Sequence, residues 1–184
     1  MTIKEDVGRY VSEQIHLLIS IMNHSSGRAK LANLRRGVGK MPGELPDLWG
    51  AFLNDLPESI LENDYERIFA EWAIYLSLTL FALHQQSNSR SVHEENISLG
   101  KAASYLIENN NDQERERILH RFEPIVTAKD MPELSHHIRG FIQLLRSKGI
   151  KLDYVMLAKD IYEFQSDDKR KSLLLRWGRD FYNN

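Results

Sequence analysis

YERIFAEWAIYLSLTLFALHQQ, residues 65 to 86, is the stretch whose reading decides the fold. Its first turns are amphipathic, but its C-terminal half is apolar nearly all round, the pattern of a helix surrounded by protein. The longest apolar run within it, Trp72 to Leu83, contains Tyr75, Ser77 and Thr79. That run is too short to cross roughly 30 Å of hydrocarbon. The segment therefore reads as a central, buried helix of a globular protein, opened by an Asn63 or Asp64 cap.

Helical signals continue on both sides. Thr2 and Glu5 have capping-box spacing, and Val7, Tyr10, Val11, Ile15, Leu18 and Met22 follow at helical intervals. Ser25 or Ser26 is placed to cap a second helix carrying Leu31 and Leu34, with Gly37 just beyond its end. Pro46 and Asp47 open a short helix through Trp49 and Phe52. After the long helix, SNSRSVHEEN, residues 87 to 96, reads as a mobile polar loop. Ser98 caps a helix through Leu106, and NNND, residues 109 to 112, breaks the chain and recaps it. The next helix holds Ile118, Phe122 and Ile125, and Pro124 is expected to end or kink it. Asp130 with Pro132 starts another, which Gly149 stops, and Asp153 and then Ser166 or Asp167 cap the last two. No segment alternates with period two, and no Asn-Gly or Asp-Gly hairpin signal occurs. The expectation is an all-α helical bundle of two small packed subdomains, residues 1–110 and 111–184.

Composition narrows the chemistry. Hydrophobic residues make up 42 % of the 184, enough for a packed core, and there is no cysteine to supply disulfides, thiolate ligands or a thiol nucleophile. MTIKEDVGRYVSEQ shows no secretory h-region, so the expectation is a soluble, cytoplasmic protein without membrane contact. GVGK, residues 37 to 40, is followed by Met41 rather than Ser or Thr and is preceded by a helix, so it is not a P-loop. None of the seven histidines forms HExxH or a His–x3–His pair. His84 reads as a half-buried, satisfied side chain, and no metal or other cofactor is expected. Glu62 with Glu66, and Glu114 with Glu116, sit among other charges on polar faces and read as solvated surface rather than as an acid–base pair. Among the aromatics, Trp72, Tyr75, Trp177, Phe181 and Tyr182 fit packing, which leaves Tyr105 and Tyr154 as candidates for base stacking.

Charge is segregated along the chain. The net charge is −2, yet residues 28–40 hold Arg28, Lys30, Arg35, Arg36 and Lys40 with no acid. Residues 134–152 hold Arg139, Arg146, Lys148 and Lys151, again with no acid, whereas residues 41–95 hold ten acids against Arg67 and Arg90. Solvated helix faces would account for either cluster alone. Together they predict a basic stripe beside an acidic surface, open to nucleic acid or to an acidic protein partner.

Five segments carry a resemblance: LRRGVGK with PGELPDLW (34–49), ISLGKA (97–102), LSHHIRGFIQLLR (134–146), LDYVMLAKDIYEFQ (152–165) and RWGRDFY (176–182). In order and spacing they resemble the CasB-type small subunit of Cascade, the type I-E CRISPR surveillance complex. Pro124 departs from that pattern, and the loop at 87–96 has no match in it. The resemblance implies a non-catalytic all-α protein of two subdomains. It implies that two copies pack head to tail against the backbone and large subunits, beside CRISPR RNA and target DNA, and help hold the DNA strands open. It adds Lys101 of the SLGKA motif to the candidate nucleic-acid contacts. It favours backbone contact at Arg35, Arg36 and Lys40, where Gly37, Gly39 and Gly43 would let a polyanion approach. A protein-only helical scaffold and a small helical enzyme with a dispersed site are the other readings of the same residues.

Overall fold

The computed structural model describes residues 2–108 and 111–183. Among them are ten α-helices, one 3-10 turn and no β-sheet. In chain order they are α1 (Ile3–Ile21), α2 (Ser25–Arg36), the 3-10 turn Pro46–Leu48, α3 (Trp49–Phe52), α4 (Glu58–Leu61) and α5 (Asp64–Gln85). Then follow α6 (Leu99–Ser104), α7 (Asp112–Thr127), α8 (Met131–Ser147), α9 (Tyr154–Phe164) and α10 (Asp167–Tyr182). Asn109 and Asn110, at the expected subdomain break, lie outside the described residues.

The helix starts follow local chemistry. Thr2 and Glu5 form the capping box, with the Thr2 N–H donating to Glu5 Oε2 at 2.8 Å. Asn63, Ser98, Asn111, Asp130 and Asp153 each accept a backbone N–H of the helix they precede. α2 differs: His24 is its N-cap, and both serines lie inside the helix. The reversal after α1 fixes this, because the His24 N–H donates to the Ile21 carbonyl at 2.8 Å and the helical bonding already begins at the His24 carbonyl. Of the two outcomes expected at Pro124, an end does not occur, since α7 continues through it to Thr127. The carbonyl that proline deprives of a partner belongs to exposed His120, where water can serve it.

α5 is the axis. Every residue from Ala73 to Gln85 is buried, and α1, α2, α3, α4, α8 and α9 pack around it. α10 lies against α6 and α9, and α7 lies against α8 and α6. The polar side chains inside α5 are handled individually. Thr79 Oγ1 donates to the Tyr75 carbonyl at 2.9 Å, whereas Ser77 Oγ has no partner among the described residues. The Gln85 amide donates to the carbonyls of Asn88 and Arg90 and accepts the Val92 N–H. The loop expected to be mobile is therefore fastened. Its second half also exchanges backbone bonds with Leu152 and buries Val92.

Between α9 and α10 a buried ionic group adds direction to the packing. Asp160, 1 % exposed, accepts Arg176 on one oxygen and the Trp177 indole N–H on the other, the latter at 2.6 Å. Trp177 is also where α6 meets α10. A Cβ placed on Gly100 would lie 2.2 Å from the Trp177 carbonyl oxygen, so the contact requires glycine. A Cβ on Gly140, in the middle of α8, would meet nothing within 4 Å.

Gly100→Ala is therefore expected to lower stability by about 2 kcal/mol by forcing α6 off α10. Gly140→Ala, by contrast, should raise it by about 0.5–1 kcal/mol through helix propensity. Urea unfolding of the two variants beside wild type checks both signs.

Candidate nucleic-acid interface

α2 runs out at Arg36, and the chain turns through Gly37, Val38 and Gly39 toward α8. Gly37 is a tight packing position rather than an open one: a Cβ there would lie 2.7 Å from Leu48 and from the Tyr75 hydroxyl. Tyr75 donates to the Gly37 carbonyl at 2.9 Å, which ties the end of α2 to α5. The left-handed residue is Gly39, φ +82°, and it faces α8: a Cβ on it would stand 3.3 Å from Arg139 Nη1. Residues a hundred positions apart thus form one surface, with the glycine turn on one side and an arginine on the other.

Two more arginines meet at the end of α5. Arg35, half-buried, directs Nη1 toward the Ala82 carbonyl at 3.5 Å, and Arg146 Nη1 donates to Gln86 Oε1 at 3.2 Å. Both acceptors lie at the C-terminal end of α5, where unpaired carbonyls concentrate negative potential. Burial, and then the neighbouring Arg146 guanidinium, hold Arg35 below the ordinary arginine value. Arg139 and Arg146 are seven residues apart in α8 and share a face. Arg28 opens onto the hollow that Arg35, Gln86 and Asn88 line, and it donates to the Asn23 carbonyl at 3.1 Å. Among the described residues, none of these four arginines is in an ion pair.

The other candidates are placed differently. Arg36 pairs with Asp47 at 3.2 Å, Lys40 with Glu44 at 2.9 Å, Lys148 with Glu108 at 3.1 Å and Lys151 with Glu94 at 2.7 Å. Such exposed pairs contribute little, so a phosphate can displace the acid, but it has to compete. Lys30 borders a separate groove with Leu17, Asp47 and Ala51. Lys101 lies at a second hollow, with Lys4, Lys159 and Arg176. Those last three come from α1, α9 and α10, and no one segment carries a signal for them.

Of the two aromatic candidates, Tyr105 is exposed but Tyr154 is fully buried. The Tyr154 hydroxyl bonds His84 Nδ1 at 2.9 Å and the Leu80 carbonyl at 3.3 Å, so it cannot stack on a base. His84 itself is fully rather than half buried. Burial pushes its pKa down to about 4, opposed by a backbone bond at Ile150 and assisted by Arg146. No cluster of three metal-ligating side chains occurs among the described residues, and no helix there is long and apolar enough to cross a membrane.

This architecture defines an all-α helical protein with a basic surface. The crystal structure of CasB from Thermobifida fusca matches it with a TM-score of 0.81 and 30 % identity, over 96 % of this chain and 98 % of that one. CasB from M. ruber matches with a TM-score of 0.65 and 25 % identity, over 92 % and 93 % of the two chains. CasB from Thermus thermophilus shares the fold at 20 % identity, with a TM-score of 0.71 over 95 % and 98 %. Among curated proteins there is no match. Residues 30–182 match the family of the CRISPR-associated protein Cse2, and the chain belongs to that family. The resemblance carried by the five sequence segments is thereby established.

Neutral His84 gives a measurable consequence. Its pKa is about 4 in the fold against 6.5 when free, so the unfolded chain binds the extra proton between those values. Its contribution is fully present above pH 6.5 and is lost as pH falls toward 4, by about 3 kcal/mol in all. The stability difference between wild type and His84→Gln should shrink by that amount from pH 7 to pH 4. Chemical unfolding at several pH values reads it directly.

Proposed function

We propose that this chain is a non-catalytic small subunit of Cascade, the type I-E CRISPR RNA-guided surveillance complex, acting in the cytoplasm. In this role it contacts the backbone of CRISPR RNA or target DNA without reading sequence, and it steadies the opened target strands. One observation carries the reading: Arg139 faces the Gly39 turn while Arg35 and Arg146 meet at the end of α5, none of them with an acidic partner among the described residues. Arginines held on a rigid frame without counter-ions suit phosphate oxygens. The absence of sequence preference follows from the chemistry, since backbone contacts position a strand while guide pairing supplies the sequence information.

Replacing Arg35, Arg139 and Arg146 together with alanine tests this. Helix content should survive, because the cluster lies at the surface. Affinity of the assembled complex for matched targets should fall by a similar factor whatever the target sequence. The slope of log affinity against log salt should shrink by about two to three units for three lost contacts. A folded triple variant that opens target DNA as wild type does would leave the protein-only scaffold as the better reading.

The same reading places a second copy and the larger subunits as neighbours. Leu61, Tyr65 and Ile68 are exposed within the acidic 41–95 segment. Leu175 and Tyr182 are exposed on α10, on the same helix as Lys171 and Arg179. Apolar patches with opposite charge suit a head-to-tail contact between copies. Tyr65→Glu with Ile68→Glu should weaken self-association, or incorporation into the complex, by tenfold or more. Sedimentation of the protein alone and with its partner subunits measures both. If neither changes, that face is not an interface.

A further inference from the structure

A hollow of roughly 490 Å³ opens where α1, α6, α9 and α10 meet, away from the arginine cluster. α1 separates the two places: its 19 residues span about 28 Å, with Lys4 in its first turn and Asn23, beside Arg28, just past its last. Four cations line the hollow, Lys4, Lys101, Lys159 and Arg176, against the acids Asp160 and Asp180.

Those acids are already engaged. Asp160 holds Arg176 and the Trp177 indole, and Asp180 Oδ2 accepts the Ser98 hydroxyl at 2.6 Å. Lys4 donates to Glu163 at 2.5 Å. Lys101 and Lys159 remain, both half-buried and in no ion pair among the described residues. Glu5 stands within electrostatic range of Lys159, yet neither lysine is ion-paired among the described residues, and an anion between the two would give both a direct partner.

The two lysines are also held in place. Ser98 caps α6, and the Gly100 contact with the Trp177 carbonyl fixes that helix, and with it Lys101, against α10. The stem of Lys159 crosses α1 at Gly8, where a Cβ would stand 2.1 Å from Lys159 Cε. Gly8 therefore supplies the slot that aims Lys159 into the hollow.

We infer that this hollow is a phosphate-binding site, with Lys101 and Lys159 as its two anchoring cations. Two lysine point charges facing a space of this size match a group bearing several anionic oxygens. The inference stands apart from the arginine cluster and does not depend on it.

The test uses the full-length protein with its lysine amines carrying ¹³C-methyl labels, followed by nuclear magnetic resonance. Inorganic phosphate, a short oligothymidylate and a polyglutamate peptide are titrated separately. The Lys101 and Lys159 signals should shift saturably, ahead of those of the ion-paired Lys40 and Lys151, and should do so equally in the Arg35, Arg139 and Arg146 triple variant. Saturation by inorganic phosphate identifies a free-phosphate site, and saturation by the oligonucleotide alone identifies a strand backbone. Gly8→Ala, which displaces Lys159, should weaken binding about tenfold with unchanged helix content. Should Gly8→Ala fail to fold, Lys159→Ala read at the Lys101 signal gives the same comparison. The inference is overturned by shifts that do not saturate, by all lysines moving alike, by a preference for polyglutamate, or by undiminished binding in the folded variant.

Discussion

The molecule is organised by the removal from water of the last three to four turns of α5. A helix satisfies its own backbone bonds, but a helix apolar all round exposes hydrocarbon on every side until other elements cover it. Six helices do so here. The same burial leaves one pole of the helix to be neutralised. The C-terminal carbonyls of α5 are an electronegative end, and Arg35 from α2 and Arg146 from beyond α8's midpoint both turn toward it, at Ala82 and Gln86. Two guanidinium groups that repel each other are thus held close by a common attraction. The core and the basic surface are consequences of one helix.

The polar residues of α5 extend its influence past its own length. Tyr75 grips the Gly37 carbonyl, so the glycine turn starts at a fixed height on the axis. Gln85 folds the following loop back on itself, which sets Asn88 in the hollow beside Arg28 and Arg35. His84 remains neutral beneath Arg146, bonded to Tyr154 and so to the start of α9. Each of these bonds joins α5 to a different neighbour, and each would be costly to leave unmade in so dry a place.

At the other end of α1, order comes from a buried charge rather than from hydrocarbon. Burial pushes the Asp160 carboxyl up to about 6 against the pull of Arg176 and Trp177, so at neutral pH it remains ionised between two donors. Removing either donor would strand that charge. The arrangement fixes the rotation of α10 relative to α9, and Gly100 then admits α6 against Trp177. The cationic hollow is assembled on this frame, as the arginine cluster is assembled on the end of α5.

How much was legible divides by distance along the chain. The sequence by itself determined the helical class, the burial of α5 and most helix starts, because a cap such as Asn63, Ser98 or Asp153 bonds a backbone group two or three residues away. It also exposed the uneven charge and the family resemblance. Where a distant contact overrode the local signal, the local reading failed. The Ile21–His24 reversal started α2 early, Gln85 fastened a loop that reads as mobile, and burial removed Tyr154 from any stacking role. Only the tertiary structure decided which cations share a surface. Arg139 meets Gly39 across a hundred residues, Arg36 and Lys40 find acids in the very next loop, and Lys159 reaches its hollow through Gly8 of α1. Charge is a property of the residue, but whether a charge is spent on a neighbour or left facing solvent is set by packing, and packing is not local.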